Sequence, residues 1–210
     1  MNNRYYIDGE IYLYDNPPAG YAFTYSPAIG AYVPVMAEGD DSVVLYWQDL
    51  RFPASNATKL SGHEPDDDAE TGLFLFDSDT VESCSAFAQL PHGIVDSVIH
   101  PHVHWFKTTD AAGDVVWELK YKFAPLGGLA DADWTTLTTK TSLFTDTDEA
   151  LRHLMSVFAP IDISGARASD CFFFRISRLA DDEDDTYDAD ALMAEFDIHY
   201  LAKRIGSATE

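Results

Sequence analysis

The run Ile99-His100-Pro101-His102-Val103-His104-Trp105 places three imidazoles at alternate positions. Imidazole nitrogens ligate transition metals and exchange protons near neutral pH, so this spacing could serve a metal centre or acid–base chemistry. In an extended strand successive side chains point to opposite faces, which puts His100, His102 and His104 together. Ile99, Pro101, Val103 and Trp105 then share the other face. Imidazoles two positions apart along a strand lie about 7 Å from one another, so the three do not easily grip a single ion.

A metal-dependent enzyme of cupin type, using His100, His102 and His104, is one reading, because cupins carry a His-x-His pair on a jelly-roll strand. Cupins follow that pair with a glutamate a few residues on, whereas Phe106, Lys107, Thr108, Thr109 and Asp110 follow here. A later glycine-rich turn with a further histidine is also missing. The competing reading is scaffold. If the last strand lies beside this one, Glu195, Asp197 and His199 face the imidazoles and hold them by hydrogen bonds. Scaffold is the expectation, with no catalytic residue, metal ligand or cofactor assigned. No GxSxG motif, nucleophile setting or glycine-rich phosphate loop occurs. Carboxylate pairs are too abundant in this chain to mark a glycosidase dyad. Trp47, Trp105 and Trp134 could stack on sugars if exposed, but tryptophans of sandwiches more often lie in the core.

The elements that would position these residues read as strands. Val43–Trp47, Gly72–Phe76, Ser83–Leu90, Val98–Lys107, Trp134–Phe144, His153–Phe158 and Asp170–Leu179 are apolar or Thr-rich runs bounded by turn residues. Between Val115 and Phe123 the alternation is cleanest. Val115, Trp117, Leu119, Tyr121 and Phe123 face the core, while Val116, Glu118, Lys120 and Lys122 face water. In the closing run Ala191–Leu201, Leu192, Ala194, Phe196, Ile198 and Tyr200 are expected on one face. Met193, Glu195, Asp197 and His199 take the other. Asp146–Arg152 could make one helical turn, capped by Thr147 or Asp148. His63–Thr71 is a polar, acidic loop and Pro125–Asp133 a glycine-rich one. The acidic run Asp181–Asp185 reads as a solvated loop without the residue spacing of an EF-hand. Eight or nine short strands with hardly any helix imply an all-β fold, an antiparallel β-sandwich of jelly-roll type.

Residues 1–40 differ from the rest. Tyrosines crowd in among Pro17, Pro18, Pro27 and Pro34, which disfavour helices and central strands. They are expected to form an extended arm with one hairpin over Tyr5–Tyr14, lying on a neighbouring surface, and residues 41–210 to form the sandwich. The chain has 210 residues, 36 acidic against 13 basic, and a net charge of −23. Such a charge argues against contact with nucleic acid or anionic lipid. No apolar run approaches the roughly 18 residues of a membrane span, and no secretory signal is evident at the N-terminus, so a soluble protein is expected. Cys84 and Cys171 lie far apart within strand-like runs and are expected to be free thiols.

Several segments resemble a family of tailed-bacteriophage virion structural proteins. They are Asp49-Leu50-Arg51-Phe52-Pro53, Gln89-Leu90-Pro91-His92, His100–Trp105, Trp117 with its strand, Asp185-Thr186-Tyr187 and Phe196-Asp197-Ile198-His199-Tyr200. The resemblance spans about residues 45–208 and rests on the order of the segments. It implies a non-enzymatic head- or tail-associated virion component, either capsid decoration or part of the tail, assembled in the host cytoplasm. Its partners would be other virion proteins, reached through the N-terminal arm, and further copies of itself in a homo-oligomer. A tail-tip receptor- or carbohydrate-binding module is the other alternative to the cupin-like enzyme.

Overall fold

A computed structural model describes the backbone of residues 45–94, 97–143 and 149–203, plus four short strands nearer the N-terminus. Side chains are described over 48–94, 97–143 and 149–202. The N-terminal strands are β1 (Arg4–Ile7), β2 (Glu10–Leu13), β3 (Tyr21–Ser26) and β4 (Ala31–Met36). Next come β5 (Leu45–Pro53), β6 (Thr58–Lys59), β7 (Asp66–Asp67), β8 (Phe74–Phe76), β9 (Glu82–Gln89) and β10 (Val98–Lys107). The series ends with β11 (Gly113–Ala124), β12 (Thr135–Leu143), β13 (His153–Val157), β14 (Ile161–Asp162), β15 (Cys171–Arg178) and β16 (Ala191–Lys203). A single 3-10 turn, Ala54–Asn56, is the one helical element among the described residues.

Eight principal strands pair in a nested way. β5 pairs with β16, β9 with β15, β10 with β13, and β11 with β12, all antiparallel. First thus meets last, second meets seventh, and so inward to the central hairpin. Folding that ribbon over gives two sheets, β5-β16-β10-β13 and β9-β15-β11-β12. This is the jelly-roll sandwich expected from the strand pattern. The short strands extend it: β6 lies on β9, β14 on the start of β10, and β8 on β16 with β7 beyond it.

The core lies between the two sheets and is aromatic. Trp105 of β10 meets Trp117 of β11 with ring centroids 6.0 Å apart. Phe174 of β15 packs against Phe52 at 4.6 Å and Phe196 at 4.4 Å, both from the opposite sheet. Each large apolar side chain fully buried here contributes about 1.5–3 kcal/mol by leaving water. In β11, Val115, Trp117 and Leu119 have no exposed surface, and Glu118, Lys120 and Lys122 lie on the wetter face, as the alternation predicts, but Val116, expected on that wet face, is buried.

Three further expectations need correction. In β16 the register slips between His104 and Trp105, which pair with Glu195 and Met193, so Ala194 has no partner. This β-bulge reverses the alternation upstream of it. Ala191 and Met193 therefore join Phe196, Ile198 and Tyr200 in the core, and Leu192 turns to the same face as its partner Phe106. Second, Asp185 does not lie in a solvated loop. Its carboxylate is 1 % exposed and pairs with Arg178, which has no exposed surface. Third, Tyr5 to Tyr14 does contain a hairpin, β1 with β2, but a second hairpin follows, β3 with β4. The arm's side chains and its expected docking lie outside the described residues, as do 146–148 of the expected helical turn. Glu149–Arg152 form a plain turn closed by Arg152 N–H on Glu149 O at 3.1 Å. Both cysteines are free thiols. Burial beside Met193 pushes the Cys84 thiol up to about 12.

Candidate functional site

The three histidines of β10 do share a face, and it is the outer face of the first sheet. Ile99, Pro101, Val103 and Trp105 point inward and are buried. The closing strand lies alongside as anticipated. His100 pairs with His199, His102 with Asp197, and His104 with Glu195. On the far side of β16, β5 brings Asp49 opposite His199 and Arg51 opposite Asp197. On the far side of β10, β13 brings His153 opposite Phe106. Five of the seven histidines, His100, His102, His104, His153 and His199, thus gather on one face of one sheet.

Asp197 is the hub. It pairs with His102 Nε2 through Oδ1, and Oδ2 lies 3.5 Å from His104 Nε2. His102 and Asp197 are each only 3 % exposed although they sit on an outer face. Beyond their mutual contact, His102 Nε2 and Asp197 Oδ1 have no hydrogen-bond partner among the described residues. Burial opposes charge on His102, but the hydrogen bond and charge of Asp197 outweigh it, so this imidazole titrates above its ordinary value. His104 shifts the other way, chiefly through burial, with His102 and His153 adding repulsion. His104 Nδ1 lies 2.8 Å from His153 Nε2. His199 Nε2 lies 3.0 Å from Asp49 Oδ1. Glu195 is held by Arg51, whose Nε donates to Oε2 at 3.0 Å while a terminal nitrogen meets Oε1. Chemically, the array is a set of imidazoles and carboxylates suited to holding protons or a cation. The sequence placed all of these on the imidazole face except His153, Asp49 and Arg51, the last two being noted only within the Asp49–Pro53 motif, because their arrival depends on strand order.

The outer face of the second sheet carries a different surface. Across the strands, Lys122, Phe173 and Phe87 fall in one row, and Lys120, Arg175 and Ser85 in the next. Phe87 stacks on Phe173 at 5.6 Å and is 65 % exposed. Lys122 Nζ lies 5.1 Å from the Trp134 ring centre and 6.0 Å from that of Phe173. Trp134 is 46 % exposed, whereas Trp105 and Trp117 are core residues. Phe87, Phe173, Trp134, Lys120 and Arg175 line a groove of about 410 Å³ with Thr58. The alternation of β11 gives its two lysines to this face. The aromatic partners come from register, which sequence does not display.

No protein-family model matches the chain, and no curated protein matches it. Among solved structures, the enzymatically active domain of bacteriophage CBA120 tailspike protein 4 is similar at a TM-score of 0.30 and 9% identity, over 75% of this chain and 19% of that one. The infectious bursal disease virus Gx strain structure matches at 0.36 and 10% identity, over 89% of this chain and 42% of its own. TmCBM61 in complex with beta-1,4-galactotriose matches at 0.32 and 11% identity, over 75% and 88%. The chain therefore spans under a fifth of the tailspike domain and under half of the bursal virus chain. Likeness this distant identifies no family and no activity. Among the described residues no helix is long and apolar enough to cross a membrane.

Proposed function

We propose that this chain is a non-enzymatic bacteriophage virion component, a capsid-decorating or tail-associated jelly roll that works through contact surfaces. The observation that carries this reading is the aromatic face of the second sheet, where exposed Phe87 and Trp134 lie together with half-buried Phe173. Contiguous exposed apolar surface marks an interaction site, and aromatic residues dominate interface energetics. The order of motifs shared with tailed-phage virion proteins supports the class. Residues 1–40 would reach a neighbouring subunit, the sandwich would associate with copies of itself, and the strongly acidic body would face solvent in the particle.

A second reading, a carbohydrate- or receptor-binding module, is favoured by one specific feature of the same groove. Aromatic rings beside Lys120, Arg175, Thr58 and Ser85 offer both a stacking surface and hydrogen-bond donors, the combination a sugar ring needs.

Co-sedimentation with assembled particles tests the first reading. Phe87→Ser combined with Trp134→Ala is expected to keep the parent's circular dichroism and melting but to lose incorporation, as is a chain lacking residues 1–40. Normal incorporation of both altered chains would overturn it. Glycan binding lost in Trp134→Ala, with incorporation intact, would establish the second reading.

A further inference from the structure

We propose that His102, Asp197 and His199 form a binding site for one divalent transition ion of the zinc class on the outer face of the first sheet. One ligand atom from each of the three lies within 4.8 Å of the others. The donor set, two imidazoles and a carboxylate, is that of three-ligand zinc sites, which keep a fourth position for water or an incoming group.

Three observations distinguish this from an ordinary surface cluster. His102 and Asp197 are more than nine-tenths buried, and their facing atoms have only each other as partners. The site is also positioned by backbone rather than by flexible stems. His102 and Asp197 are paired in register, His199 stands two residues along the same strand, and β16 is paired on both edges. The His102 and His199 rings lie 4.3 Å apart at 76°, already gathered before an ion arrives. Finally, Asp49 lies 3.0 Å from His199 Nε2 and adds a second carboxylate at the margin. With the ion on His199 Nδ1, Asp49 supplies the outer hydrogen bond that metal-binding histidines generally make through their other ring nitrogen.

A neighbouring set, His104, Glu195 and Asp197, is the competitor. Arg51 grips both oxygens of Glu195. A guanidinium occupying a carboxylate in this way blocks cation binding there, so the ion belongs at His102, Asp197 and His199. It would tie β10 to β16 side chain to side chain, reinforcing the ladder that already joins them.

The full-length chain, stripped with chelator and then freed of it, is titrated with Zn²⁺ by calorimetry and with Co²⁺ by visible absorption. One equivalent per chain is expected, with a rise in melting temperature and the cobalt bands of a nitrogen- and oxygen-ligated ion. His199→Gln removes a ligand that is 43% exposed, so the fold is expected to survive by circular dichroism. Its zinc affinity is expected to fall by about 100-fold or more, beyond what loss of an outer partner costs. His92→Gln, whose ring contacts Ser169 and belongs to neither cluster, is expected to bind like the parent. Parent protein without stoichiometric binding would overturn the proposal. So would folded His199→Gln with unchanged affinity, or loss of binding in His104→Gln but not in His199→Gln.

Discussion

Arg178 holds a full charge with no surface open to water. Its Nε and one terminal nitrogen donate to the two oxygens of Asp185 at 3.1 and 2.8 Å. Remaining hydrogens go to the carbonyls of Tyr187 at 2.6 Å and Ala189 at 2.7 Å. Desolvating two ions costs several kcal/mol each, and only a complete set of partners offsets that. Arg178→Ala strands the Asp185 carboxylate. Stability in urea is expected to fall by about 3–5 kcal/mol. Arg178→Met with Asp185→Leu is expected to cost less, because no charge is left behind. In the sequence, Asp185 is the end of an acidic run and looks wet. Nothing local distinguishes it from Asp181, since its burial depends on where β15 ends.

Gly113 opens β11 where the segment 185–187 crosses it. Thr186 and Tyr187 both donate to Asp114 O, at 2.8 and 3.0 Å, and Val116 N–H reaches Asp185 Oδ2 at 3.0 Å. A Cβ on Gly113 would lie 2.7 Å from both Thr186 O and Tyr187 Cα, at a φ of +150°. Backbone atoms cannot step aside cheaply. Gly113→Ala is therefore expected to cost about 3 kcal/mol, the upper range for overpacking, measured by chemical denaturation. At this scale much was legible from period alone. Val98–Lys107 coincides with β10, and the core face of β11 reads directly from Val115, Trp117 and Leu119. The facing of His102 by Asp197 also followed from the two alternations once the strands were neighbours. The upper part of β16 did not follow, because a bulge at Ala194 is a one-residue slip that leaves no trace in composition. The Phe87–Phe173 row was hidden for a related reason: its members come from strands distant in sequence and meet only through pairing.

For the whole molecule, the net charge of −23 makes every buried carboxylate matter. Glu82 accepts from Asp77 N–H at 2.7 Å, yet burial raises its carboxyl above the usual range, and the charges of Asp77, Asp66 and Asp190 push the same way. Asp190 is raised as well, first by burial and then by Asp77. Folded values above unfolded ones mean that the folded chain binds these protons more tightly. Both groups therefore favour folding at low pH, and that contribution is lost as pH rises from the ordinary carboxylate range through the raised values. Melting temperature is expected to be higher near pH 5 than near pH 7.5. Glu82→Gln, which keeps an acceptor for Asp77 N–H, is expected to raise the neutral melting temperature and flatten the dependence.

The position of β16 bears on how the protein is made. That strand separates β5 from β10 and pairs with both, yet it is the last of the series in chain order. The second sheet has all its strands once residue 178 has left the ribosome, whereas the first cannot close until residue 203 has emerged. During that interval β5 and β10 have no strand between them to join them, and Phe174 of β15 lacks its Phe196 partner. Nascent chains stalled between these two points are thus the stage at which this protein most needs a chaperone.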